Sequence, residues 1–209
     1  MLIDLSHPIL SAMPVYPGDE PVVLEKIRDL EQDKYNAYLL KTGLHAGTHV
    51  DAPLHLLDGG KSIDQMPLER FVAPGVLLTD SQCLPEQEIP IGSAVLIDFY
   101  TEGTYGTAAY YQKHPQMSEA LCRYLIERRV SLVGVNAPSL DYPPFPIHKQ
   151  LLAAGIPILE NLKNLRNLTG RDFILIALPL SLAAEGSLVR AVAWIPEEKV
   201  FHAAQEDFI

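Results

Sequence analysis

Apolar residues in this chain gather in short, nearly continuous runs separated by turn-forming residues. Residues 75–80, 94–99, 131–135, 156–160 and 173–180 are the clearest. Runs of this length, rich in Val, Ile and Leu, suit strands covered on both faces. Residues 2–5, 21–27, 35–44 and 188–195 read as further strands, with the charged segment 28–34 as a solvated turn between the second and third. Helical stretches are fewer. Ser118 can cap a helix over 119–128. Another helix opens at His148 and stops at Gly155. Residues 63–70 and 161–168 read as short helices, and the Gly- and Tyr-rich stretch 100–115 as a loop. His114 in that loop has no ligand partner nearby in sequence and is read as structural.

Strands interleaved with helices predict an α/β fold. The 209 residues carry no linker, repeat or composition shift, so a single domain over 1–209 is expected. The formal net charge of −10, from 16 basic and 26 acidic side chains, opposes nucleic acid as a partner. Cys83 and Cys122 lack C-x-x-C spacing and are expected as free thiols in a reducing compartment. The first residues lack a basic leader region, and no apolar run reaches membrane-spanning length. The expectation is a cytoplasmic protein with no membrane partner.

The chemistry is concentrated in His45-Ala46-Gly47-Thr48-His49-Val50-Asp51-Ala52-Pro53-Leu54-His55, which holds three of the chain's seven histidines. Imidazole and carboxylate are ligands for zinc and for harder divalent ions. Gly47, the β-branched Thr48 and Val50, and Pro53 oppose a helix here. In an extended chain His45, His49, Asp51 and His55 share one face, because the side-chain period is two. A straight strand would still separate His45 from His49 by roughly 13 Å, too far for one metal. The chain must bend, and Gly47 permits it. The reading is a strand ending near His45, a tight turn and a metal-lined loop. Further on, the helix from His148 runs out roughly 10 Å and the strand to Glu160 returns roughly 13 Å. His148 and Glu160 can therefore meet.

The eleven-residue string resembles the H-x-G-T-H-x-D-x-P-x-H signature of the cyclase-like metal-dependent hydrolases, the family that includes bacterial kynurenine formamidase. The resemblance covers most of the chain. The segment Ile147-His148 to Glu160-Asn161-Leu162 resembles the family's I-H-x-x-L-L…E-N-L pattern, and residues 183–187 resemble its D/E-G-S turn before a final R-x-x-A strand. Arg190 in that strand is read as a structural charge partner. Asn136-Ala137-Pro138-Ser139-Leu140-Asp141 stands where the family commonly reads D-x-P-S-x-D, so Asn136 departs from an acidic residue. The resemblance implies a swivelling β/β/α layered domain, with a parallel or mixed central sheet and a second antiparallel sheet. It also implies homodimers or larger homo-oligomers. It completes a two-metal site from His45, His49, Asp51, His148 and Glu160, and gives His55 the role of general acid and base. It places Tyr16 at the mouth of the site, where kynurenine formamidase typically has Trp. A packed loop aromatic is the other reading of Tyr16.

Three imidazoles and two carboxylates exceed one tetrahedral set. Bridging carboxylates, Asp51 and Glu160, between two ions ~3.5–4 Å apart would use them all. The donor mix suits zinc or manganese, and ligand type alone does not decide between them; zinc is the expected ion and manganese the alternative. The expected activity is hydrolysis of a carbon–nitrogen bond in a small-molecule amide through a metal-activated water, with His55 protonating the leaving nitrogen. The alternatives are a cyclic-amide (isatin-like) hydrolase and a metal-binding protein without turnover. His55 discriminates, since a purely structural site has no use for an extra imidazole. No G-x-S-x-G elbow occurs, which opposes a serine hydrolase.

Overall fold

The computed structural model describes residues 1–101 and 104–196, so the end of the expected domain, 197–209, lies outside the described residues. Strand β1 (Leu2–Asp4) is followed by a hairpin, β2 (Val23–Arg28) and β3 (Ala37–Lys41), with the one-turn helix α1 (Leu30–Asp33) at its tip. Then come β4 (His49–Asp51), β5 (Val72–Leu78), β6 (Ala94–Ile97), helices α2 (Ala108–Gln112) and α3 (Glu119–Glu127), and β7 (Leu132–Val135). Helix α4 (Pro146–Ala153), β8 (Ile158–Glu160), β9 (Phe173–Ile176), β10 (Gly186–Leu188) and β11 (Val192–Trp194) complete the order.

Nine strands form one mixed sheet in the order β1-β11-β9-β5-β6-β7-β8-β4-β10, and β2 and β3 form a separate antiparallel pair. A mixed central sheet with a smaller antiparallel one is the arrangement the family resemblance implies. The centre, β5-β6-β7-β8, is parallel, and both flanks are antiparallel. The sheet must curl. β10 and β11 lie near opposite ends of it, yet only residues 189–191 connect them. A flat sheet would separate these strands by roughly 34 Å at ~4.8 Å per strand, whereas so short a link spans about 14 Å at most. Contacts across the gap agree: Lys163 N–H donates to Leu5 O at 2.9 Å, and Ser6 bridges Leu162.

Strand alternation then divides the core. Ala94, Leu96, Leu132, Val50 and Leu159 face the inside of the curl with Phe71, Phe173 and Leu175. Val95, Ile97, Val133, Val135 and Ile158 face outward beneath α3 and α4, packing on Leu121, Leu125, Leu151 and Leu152. Both faces of the parallel strands are covered, which is why they read as continuous apolar runs.

Element ends differ from the sequence reading for local reasons. The charged segment 28–34 winds into α1 because the Asp29 side chain accepts from Glu31 N–H and Lys34 closes the turn in the left-handed region. Asn161 and Asn164 are also left-handed (φ 55° and 61°), so the expected 161–168 helix shrinks to a single 3-10 turn, Leu165–Leu168. The 63–70 helix is two 3-10 turns, Ile63–Gln65 and Leu68–Phe71, parted by Pro67. The 173–180 strand stops at Ile176, and Pro179, which has no N–H to give, keeps one isolated bridge to Val189. The 188–195 strand divides into the end of β10 and β11 at the crossing of the curl. The 100–115 loop contains α2, capped by Thr107. Ser118 caps α3 as expected, its hydroxyl accepting from Leu121 N–H. Arg190 is the charge partner of Asp4, through two hydrogen bonds at 2.8 and 3.0 Å. Cys83 and Cys122 are free. Among the described residues no helix is long and apolar enough to cross a membrane.

Candidate functional site

Gly47 makes the bend that the spacing demands. Its φ is +62°, and a Cβ there would also press on Ile9 Cδ1 at 3.0 Å. The bend folds His45 back onto the following segment, so that its Nδ1 lies 2.9 Å from Asp51 Oδ1. The run after the bend is a strand, not the expected loop. β4 is flanked on both sides, by β8 and β10, which completes its ladder. The register with β8 sets His49 opposite Glu160, and the register with β10 sets Asp51 opposite Gly186. Gly186 leaves room for the cluster: a Cβ there would meet Val50 O at 2.9 Å and His45 Cε1 at 3.3 Å. Since Val50 and Leu159 point into the curl, His49, Asp51 and Glu160 point out, towards α4. That helix supplies His148, whose Nε2 lies 3.0 Å from Glu160 Oε1. All five residues from the sequence reading thus converge, and four of them are buried.

The electrostatics are those of a site made for positive charge. Burial opposes charge on His45, yet the Asp51 carboxylate, with Glu160 and Glu185 beyond, holds it up to about 9. Burial likewise opposes charge on His148, and Asp141 and Glu160 hold it up to about 10. Glu160 is raised to about 7, by burial and by the neighbouring Asp51 charge, against the pull of His148. Asp51 is held low despite burial, chiefly by His45.

His49 provides the sharpest test of whether a cation fits. Burial pushes it down to about 4, so it is neutral. Its Nδ1 faces Gly47 O at 2.8 Å and must carry the proton to donate there. Nε2 therefore presents a lone pair. That atom is buried without a hydrogen-bond partner among the described residues, and it faces Asp51 Oδ1 at 3.5 Å and Glu160 Oε2 at 3.6 Å. Asp51 Oδ1 meets His45 Nδ1 as an ion pair at 2.9 Å but takes no well-aligned hydrogen bond among them. His45 and His148 offset part of the carboxylate charge, but the lone pair of His49 Nε2 still faces two carboxylates in a dry site, an arrangement that a cation among them would satisfy. Two sets of donor atoms lie within 4.8 Å of one another: His45, His49 and Asp51, and Asp51, His148 and Glu160. Asp51 is common to both, and the two oxygens of Glu160 face different histidines.

A cavity of about 210 Å³ opens over these donors. His55, from the 3-10 turn Pro53–His55, lies in its wall with its ring 4.3 Å from that of His45. It belongs to neither donor set. Burial lowers its proton affinity, with the Asp51 charge acting the other way. Tyr16 also lines the cavity, in edge contact with Tyr111 at 5.9 Å.

Three contributors escape the sequence reading. Asp141 Oδ1 lies 2.5 Å from His148 Nδ1, while its Oδ2 accepts from Ile147 N–H at 2.6 Å, so it fixes the ring that faces Glu160. Its signal is its place just after a buried strand, since a histidine ligand needs a partner for its second nitrogen. Asn161 donates to Gly47 O at 3.0 Å and accepts from Tyr110 Oη–H at 2.7 Å, which braces the bend. Phe145 lines the cavity at the N-cap of α4 in a left-handed conformation (φ 58°), and nothing in its sequence context marks it. Asn136, the departure from an acidic residue, accepts from Phe99 N–H and donates to Asp98, both at 2.8 Å. It braces the end of β6 and does not line this cavity. His114 is buried and stacked on Tyr142 at 4.2 Å, also outside the cavity lining.

Known proteins share this architecture. The kynurenine formamidase of Bacillus cereus is 33% identical over 205 residues, covering 91% of this chain and 95% of that protein. Isatin hydrolase A from Labrenzia aggregata, bound to benzyl benzoate, superposes with a TM-score of 0.83 at 26% identity, over 94% of each chain. Isatin hydrolase A from Ralstonia solanacearum gives 0.79 at 25% identity, over 94% of this chain and 92% of its own. Residues 3–142 match the family described as "Putative cyclase", and the chain belongs to this cyclase family.

Proposed function

We propose that the protein is a metal-dependent amidohydrolase that cleaves the carbon–nitrogen bond of a small aryl amide, as an arylformamidase does. The observation that carries this reading is the meeting of lone pairs at His49 Nε2, Asp51 and Glu160 beneath a cavity walled by a further histidine. His45 and His148 each pair with one of these carboxylates, but nothing among the described residues answers the lone pair of His49 Nε2. The similarity to kynurenine formamidase supports the reaction class. The likeness to isatin hydrolase supports a cyclic amide as the alternative substrate.

His45, His49 and Asp51 would hold one ion and Asp51, His148 and Glu160 a second, zinc or manganese both suiting the donors. Such ions supply carbonyl polarisation and a water acidified towards neutrality. The protein's own groups do the rest. The carbon–nitrogen bond breaks, the water oxygen stays on the carbonyl carbon, and His55 delivers a proton to the departing nitrogen. Tyr16 and Phe145 present aromatic faces to a planar substrate. The enzyme works in the cytoplasm as a homodimer or larger homo-oligomer. Exposed Tyr38, Leu39 and Leu40 on the isolated hairpin support assembly, since a lone two-stranded ribbon is marginal in water.

The test is a screen of N-formyl arylamines and cyclic amides with metal-loaded protein, alongside elemental analysis. Turnover lost on chelation and restored by zinc or manganese, with two ions per chain, is expected. Full metal loading without turnover on any amide would leave a metal-binding protein. Asp141→Asn keeps the shape behind His148 but loses the charge, and should lower metal affinity about 10–100-fold in a chelator competition. Unchanged affinity would make Asp141 a loop brace only. Tyr16→Ala should raise KM on the aryl substrate and leave metal content alone, because it removes a stacking face and no ligand. Steady-state constants equal to wild type would reduce Tyr16 to a packed loop aromatic.

A further inference from the structure

A second chamber of about 260 Å³ shares Tyr105 with the lining of the cavity over the donor residues. Among the described residues its lining includes no carboxylate, and its one cation is Lys163. The Lys163 Nζ is 3.9 Å from Asp4 Oδ2. Asp4 already takes two hydrogen bonds from Arg190, at 2.8 and 3.0 Å, so the ammonium is only loosely engaged. The hydroxyl of Tyr105 is buried and has no hydrogen-bond partner among the described residues. His7 stacks flat on the Tyr105 ring, centroids 3.7 Å apart. Burial and the Lys163 charge push His7 down to about 4, so its neutral ring keeps one N–H to donate. Thr101 and Asn136 on the same wall are bonded to one another and to the end of β6. A loosely paired ammonium, a buried phenol and an imidazole N–H thus border one small space whose described lining holds no acid.

We propose that this chamber binds a small carboxylate anion, with Lys163 as its countercharge and the Tyr105 hydroxyl as a donor. One cation and neutral donors match a single negative charge. The acid released by amide hydrolysis is such an anion, and Tyr105 lines both spaces. That source rests on the function proposed above, whereas the site itself does not.

The probe is sodium formate, titrated calorimetrically into the full-length, metal-loaded protein. Lys163→Gln should weaken binding about tenfold or more, the usual scale for losing a charge-assisted partner. Tyr105→Phe, which keeps the ring and its stack on His7, should weaken it severalfold. Metal content should stay constant in both. Affinities within twofold of wild type in both variants would overturn the proposal and leave formate on the metal ligands or the surface. Tyr105→Phe keeps the test decisive should Lys163→Gln fold poorly. Adding formate during turnover distinguishes the sources. Inhibition that weakens in Lys163→Gln marks the reaction's own product, and binding without inhibition marks a carboxylate from solution. If no amide is hydrolysed at all, the calorimetry still decides the chamber, and only the activity reading falls.

Discussion

Replacing Asp51 with asparagine should empty the site of the two ions proposed for it and abolish hydrolysis in one step. Asp51 is the residue shared by the two donor sets, and it is only 1% exposed. Its Oδ1 is ion-paired with His45 at 2.9 Å and stands 3.5 Å from His49, with no well-aligned hydrogen bond among the described residues. The substituted amide would keep the volume but lose the charge, and one of its two polar atoms becomes a donor. Changing an outer partner of a ligand costs about 10–100-fold in metal affinity. Removing a carboxylate common to both donor sets should exceed the upper end of that range. Elemental analysis and the hydrolysis rate of Asp51→Asn, with circular dichroism to check the fold, measure this. A folded Asp51→Asn that retains two ions and a rate within tenfold of wild type would refute the shared-ligand assignment.

The parts of this site legible in the sequence are those governed by period and by bends. Odd-numbered spacing places His49 and Asp51 on one face, and Gly47 marks the turn that returns His45. The out-and-back path through α4 and β8 brings His148 to Glu160. The buried strands are legible because helices and the curl interior cover both their faces. What is not legible depends on contacts between distant segments. The curl of the sheet needs the pairing of β11 with β9 and of β10 with β4, which no local pattern encodes. The strand character of β4 comes from its neighbours on either side and not from its own three residues. Asp141 and Asn161 act through partners that only the fold brings near. Asn136 shows the converse. In the sequence it reads as a departure at the site, whereas in the fold it braces Phe99 and Asp98.

Replacing His55 with alanine should separate catalyst from staple. Its ring lies 4.3 Å from the ring of His45, in the wall of the cavity, and it belongs to neither set of converging donor atoms. The 3-10 turn after β4, opened by Pro53, carries it away from the ligand run. A histidine placed there can reach a bound amide without being needed to hold an ion. General acid and base catalysis contributes about 10²–10⁴-fold in rate, so His55→Ala should lose turnover on that scale while keeping its metal and its thermal midpoint. His49→Ala is the control. It removes a buried lone pair that faces Asp51 and Glu160, and should lose metal as well as rate. Metal content, melting temperature and kcat for the two variants make the comparison. If His55→Ala sheds its metal as readily as His49→Ala, His55 is a ligand and the role given to it is wrong. If it keeps both metal and full activity, another group delivers the proton to the leaving nitrogen.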